Sequence, residues 1–242
     1  NMNNLLIPLH KWAKNQDENF LTEILVFLLN HYVQYEPESA VWLINRITGD
    51  ELDLSEKDLS GLSIESQPPR TAEGVPDIKI ATPRVICFIE VKVGSDFGKG
   101  QLTRYNRLLK GDPKKSMLIT LTRYPYEEHE DLEDHKAGTK PDVCFRWHEL
   151  SDWLDDKSQD FNEISRFITQ QYIQLLKNRG VAMERINWQL VEGLRAFKNI
   201  VAMLEEAIGS SEKKRSPGWE WMGYYIEDKK FSLVYITIHQ RK

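Results

Sequence analysis

Two apolar runs that meet at a proline constrain this chain more than anything else in it. VPDIKIAT (75–82) breaks at Pro83-Arg84, and RVICFIEVKV (84–93) follows at once. Short runs rich in Val and Ile and bounded by a proline-bearing turn predict two β-strands in an antiparallel hairpin. The second run carries Glu90 and Lys92 in its interior, and Pro76-Asp77 opens the first. A hairpin of this length sets Asp77 close to Glu90 and Lys92 across the ladder. Two carboxylates and an ammonium then share one patch of mostly buried sheet.

That arrangement is costly. Two carboxylates about 4 Å apart repel by roughly 4 kcal/mol at an effective dielectric near 20, and one of them ordinarily responds by taking up a proton. A divalent cation between them removes the repulsion, and hard oxygen ligands suit Mg²⁺ or Mn²⁺. Strand alternation places Glu90, Lys92 and Phe88 on one face, and Cys87, Ile89, Val91 and Val93 on the other. The backbone carbonyl of Val91 stays available as a further oxygen ligand. The plain alternative is a Glu–Lys pair on a solvated face.

The flanking segments add functional groups. GKGQLTRYNRLLKGDP (98–113) reads as a helix ended by Gly111 and Pro113. Gln101 and Tyr105 are four apart and share a helical face; Leu102, Leu108 and Leu109 form the apolar stripe, and Arg104, Arg107 and Lys110 supply cations. Upstream, DENFLTEILVFLLNHY (17–32) reads as a strongly apolar helix capped by Asn15 or Asp17. Glu23 falls beside Phe20, Ile24 and Phe27 on its stripe, where an unpaired acid is costly to bury. The other reading of Glu23 is a partly exposed acid at the edge of the stripe.

Glu23 in an early helix, Pro76-Asp77, Glu90-Val91-Lys92 and Gln101-(x3)-Tyr105, in that order, resemble the PD-(D/E)XK nuclease superfamily. The Gln-x3-Tyr helix is similar to that of its RecB-like branch. The resemblance covers roughly residues 17–125. It implies a restriction-endonuclease-like α-β-β-β-α-β core and a metal-dependent nuclease, most readily a DNA endo- or exonuclease in defence, restriction or repair. Asp77 and Glu90 would hold Mg²⁺ or Mn²⁺ through their carboxylates and Val91 through its carbonyl. Lys92 would help deprotonate the attacking water or stabilise charge on the scissile phosphate, and Glu23 would orient a water or bind a second metal. Gln101, Tyr105 and Arg104 would frame the site and contact substrate. The chemistry agrees, since phosphodiester hydrolysis needs an activated water and cations against developing phosphate charge. The competing expectation is a nucleic-acid-binding or assembly module that keeps the fold and does no chemistry.

Charge supports a phosphate-bearing substrate by its distribution rather than its sum. The chain carries a net charge of −5, and polyphosphate binding normally calls for a basic footprint. Residues 70–115, however, hold ten Lys/Arg against five Asp/Glu, whereas 123–163 hold five against thirteen. The basic excess coincides with the candidate site.

The remaining chain organises around that core. The sequence predicts a helix over 38–50, a first strand over 62–67, a fourth over 115–125, a fifth over 143–150 and an amphipathic helix over 161–180. Together these give a mixed α/β sheet flanked by helices in a core of residues 1–180. An appendage of residues 181–242 would hold a helix (183–210), a polar linker (210–218) and a β-hairpin turning at 227–230. Trp219, Trp221, Tyr224 and Tyr225 beside Lys213, Lys214 and Arg215 would pack a sheet face or stack bases of a single strand. A homodimer is one of the assemblies open to such a chain. Cys87 and Cys144 lack metal-ligand spacing and read as buried thiols in a reducing compartment. The longest purely apolar stretch, 24–29, is too short to span a bilayer, and no charged-then-apolar leader opens the chain. A cytoplasmic location without membrane contact is expected.

Overall fold

The computed structural model describes residues 4–13, 16–69, 73–124 and 138–182, with isolated positions beyond 191. By contact density the chain divides into two compact units, Asn1–Met183 and Glu184–Lys242.

The first unit is built on a five-stranded mixed sheet in the order β1-β2-β3-β4-β5. Its strands are β1 Ser63–Ser66, β2 Ile78–Ala81, β3 Val85–Lys92, β4 Lys115–Thr122 and β5 Val143–Arg146. The first three are antiparallel neighbours, and β3, β4 and β5 run parallel. The β2–β3 turn is closed by Thr82, whose amide donates to the Val85 carbonyl at 2.9 Å and whose hydroxyl accepts from the Arg84 and Val85 amides at 3.2 and 3.0 Å. Parallel pairing of β3 with β4 needs a crossover, which the helix α4 (Gln101–Lys110) supplies once α1 (Leu6–His10), α2 (Asp17–Tyr35) and α3 (Pro37–Ile47) have preceded the sheet. Beyond β5 come α5 (Trp147–Lys157) and α6 (Glu163–Asn178).

Helices on both faces explain why β3 reads as one continuous apolar run: every one of its residues is buried. Alternation along it sorts two cores. Val85, Cys87, Ile89, Val91 and Val93 join the larger one, with side chains of α2, α3, α5 and α6. Ile86 and Phe88 meet Leu102, Tyr105 and Leu109 of α4 and Leu118 of β4 on the opposite face. Glu90 and Lys92 therefore lie on the α4 face. Helix α2 ends where Pro37 forces Glu36 out of helical conformation, at φ −139°, and the same proline starts α3. Buried hydroxyls tie α2 to α6: Tyr32 to Thr169 at 2.6 Å, and Tyr172 to the Leu21 carbonyl at 2.9 Å.

Three expectations change. The fifth strand stops at Arg146 rather than running to 150, because Glu149 caps a helix there, its Oε2 accepting from the Arg146 amide at 2.8 Å. Cys144, expected to be buried, is exposed on the outer strand β5, while Cys87 is buried; neither forms a disulfide. In the second unit, Lys214–Arg215 pairs antiparallel with Tyr224–Tyr225 within the stretch read as linker and hairpin start. The turn expected at 227–230 and most of the helix expected over 183–210 lie outside the described residues. Among the described residues no helix is long and apolar enough to cross a membrane.

Candidate functional site

The hairpin register decides the site. Ile78 pairs with Ile89, so Asp77, one residue before β2 begins, falls opposite Glu90. The ladder ends there, and the Val91 amide, which has no strand partner left on that side, donates instead to Asp77 Oδ2 at 2.8 Å. Alternation sends the Val91 carbonyl out on the same side as its N–H. The Lys92 carbonyl points the other way, accepting from the Arg123 amide at 3.0 Å and from the Trp147 indole at 3.3 Å. Ladder fraying at one edge thus brings one carboxylate and one main-chain oxygen together at the end of β3.

Glu90 is 1% exposed and Lys92 is 9% exposed. Glu90 Oε1 accepts from Lys92 Nζ and from Gln101 Nε2, each at 2.5 Å, whereas its buried Oε2 has no hydrogen-bond partner among the described residues. Gln101 stands at the first position of α4, and its own Oε1 accepts from the Gly98 amide at 2.9 Å. Its Nε2 also reaches the Tyr105 hydroxyl at 3.2 Å, and that hydroxyl donates to the Val75 carbonyl at 2.6 Å. Tyr105 is buried and frames the site from behind. Gly74 makes this close approach possible: it has φ +125°, and a Cβ there would stand 3.2 Å from the Tyr105 ring.

Two sequence-derived residues sit differently. Glu23 is exposed on α2 and reaches none of these groups; of its two readings, the edge of the stripe is the one the fold adopts. Glu18, five residues earlier and so roughly 140° round the helix, is the α2 acid at the site. Its Oε2 accepts from the Val93 amide at 3.0 Å and the Ser95 hydroxyl at 2.9 Å, and its Oε1 lies 3.6 Å from Lys92 Nζ. The signal that could have found Glu18 is its place in the first helical turn, at the end of the helix brought to the carboxyl end of β3. Arg104 donates to the Glu73 and Lys99 carbonyls at 3.1 and 2.7 Å, which fixes the segments on either side of the site.

Electrostatics follow from this packing. Burial, then the Asp77 charge, pushes the Glu90 carboxyl up to about 8 despite the opposing pull of Lys92. Burial also raises Asp77, against the Val91 amide and Lys92, and the two carboxyls are close enough to share a proton. Burial works to lower Lys92, but Glu90, Glu18 and Asp77 outweigh it and hold the ammonium charged. Three carboxylates against one ammonium would leave two negative charges in excess if all were ionised. Either a proton stays in the pair or a cation enters.

Among the described residues no group of three or more His, Cys, Asp and Glu side chains converges to hold a metal ion, since Glu18 is held aside by Val93, Ser95 and Lys92. The oxygens left for a hard cation are the carboxylates of Asp77 and Glu90 and the Val91 carbonyl, the sparse donor set that Mg²⁺ accepts while keeping several waters. No protein-family model, curated protein or solved structure matches the chain.

Proposed function

We propose that this chain is a metal-dependent nuclease of the PD-(D/E)XK kind, hydrolysing phosphodiester bonds, most readily in DNA. The observation that carries the reading is the pairing of half-buried Asp77 with buried Glu90, which keeps a carboxylate oxygen without a hydrogen-bond partner among the described residues and an excess of negative charge beside a charged lysine. Asp77, Glu90 and the Val91 carbonyl would hold Mg²⁺ or Mn²⁺, which when bound supplies Lewis acidity at the scissile phosphate and acidifies water. The chain's own residues do the rest. Lys92 is an ammonium in this setting, so it acts on phosphate charge rather than as a base. Gln101 holds Glu90 by Oε1 and leaves Oε2 for the cation. Glu18 anchors the Val93 amide and the Ser95 hydroxyl and restrains Lys92, a different task from the orienting of water or binding of a second metal that the resemblance implies for Glu23. The local basic excess over 70–115 suits the polyanionic backbone of the substrate.

The test is cleavage of plasmid and linear DNA with and without Mg²⁺ or Mn²⁺. Cleavage should require metal and fall at least about 10²-fold in Glu90→Gln and Lys92→Met, each checked for retained fold. Activity surviving both substitutions would refute the assigned site. Metal binding with no cleavage of any nucleic acid would favour the binding-module reading.

A further inference from the structure

Buried His10 Nε2 has Asp17 Oδ1 at 2.8 Å, but two further buried side-chain atoms, Glu90 Oε2 and Thr120 Oγ1, have no hydrogen-bond partner among the described residues. The last two belong to laterally adjacent residues, because the parallel register sets Glu90 of β3 against Thr120 of β4. They also share a face. Met117, Ile119 and Leu121 enter the larger core and Leu118 the α4 core, so alternation turns Thr120 toward the α4 side with Glu90. Thr120 is fully buried. Valine has nearly the same shape and would leave no hydroxyl to satisfy, so a buried hydroxyl without a protein partner beside a carboxylate calls for a use.

We propose that Thr120 is a positioning residue for Glu90, its hydroxyl donating to a single buried water that in turn donates to the Glu90 carboxylate. A water is the fitting ligand: Thr120 Oγ1 has no partner among the described residues, Glu90 Oε2 has none beyond the proton its carboxyl can share with Asp77, both can bond a water, and buried waters characteristically bridge such groups. Asp77 approaches Glu90 from the β2 side and Thr120 from the β4 side, so the carboxylate is flanked across the sheet. The water fixes the plane of the carboxylate while Gln101 and Lys92 hold Oε1. The inference rests on the metal-site reading above and adds an outer residue to it, of the sort whose loss typically weakens metal binding by about 10–100-fold.

The test is calorimetric titration of Mn²⁺ into the full chain and into Thr120→Val and Thr120→Ser. Thr120→Val should bind at least about tenfold more weakly, and Thr120→Ser within about threefold of the parent. Equal affinity in Thr120→Val would overturn the inference while leaving the metal site standing. Should the parent bind no Mn²⁺, the metal reading fails, and the urea midpoints of Thr120→Val, Glu90→Gln and the double variant decide the contact instead. Non-additive shifts support a Thr120–Glu90 link through water, and additive shifts overturn it.

Discussion

At the scale of single residues, Glu90 works against the stability of the fold that holds it. The folded protein keeps its proton up to about pH 8, whereas the unfolded chain releases it near 4.5. Between those values the unfolded state binds fewer protons, so stability falls as pH rises through the window. The shift sets an upper bound of about 5 kcal/mol, and sharing of the proton with Asp77 reduces it. Glu90→Gln should therefore stabilise the metal-free protein by about 2 kcal/mol near pH 8.5 and change it little near pH 5, as urea melts at the two pH values would measure. The placement of this residue was legible in the sequence because strand alternation alone puts Glu90 and Lys92 on one face. The partner set of each carboxylate oxygen was not legible, since Gln101 reaches Glu90 only through the start of α4.

At the scale of elements, rotation of a helix and the end of a strand decide which side chains count. An apolar stripe selects the buried face of α2 but does not say which acid near its edge lies at the sheet's carboxyl end. For that reason the stripe pointed to Glu23, which is exposed, whereas Glu18 is the α2 acid that lies beside Lys92. Glu18→Ala should reduce cleavage at least about tenfold, whereas Glu23→Ala should leave activity unchanged and stability within about 0.5 kcal/mol. The hairpin was readable to within a residue for β3, because its proline and its Val/Ile runs are local signals, whereas β2 begins three residues later than its apolar run, at Ile78. The fifth strand was overextended because Trp147 suits a strand by propensity, while the capping contact from Glu149 acts three residues ahead. Removing it in Glu149→Ala should cost about 1 kcal/mol, read as a lower thermal midpoint without loss of the site.

For the molecule as a whole, the mixed sheet gathers groups from α2, β3, α4 and the loop before β2 at one end of its central strand, where open α/β sheets characteristically place their sites. The fold class followed from alternating strand and helix patterns. The side-by-side placement of Thr120 and Glu90 depends on the β3–β4 register, which no local pattern encodes. Net charge would have argued against a nucleic-acid enzyme, and only its division between residues 70–115 and 123–163 aligns it with the site. The claim on which the rest depends is that the Asp77–Glu90 pair takes a divalent cation in place of its retained proton. Calorimetric titration of Mn²⁺ into the full chain at about pH 7.5, in buffers of different ionisation enthalpy, measures both events together. The expected result is one site, release of protons on binding, and loss of that site in Asp77→Asn. No binding by the parent chain, or unchanged binding by Asp77→Asn, would contradict it.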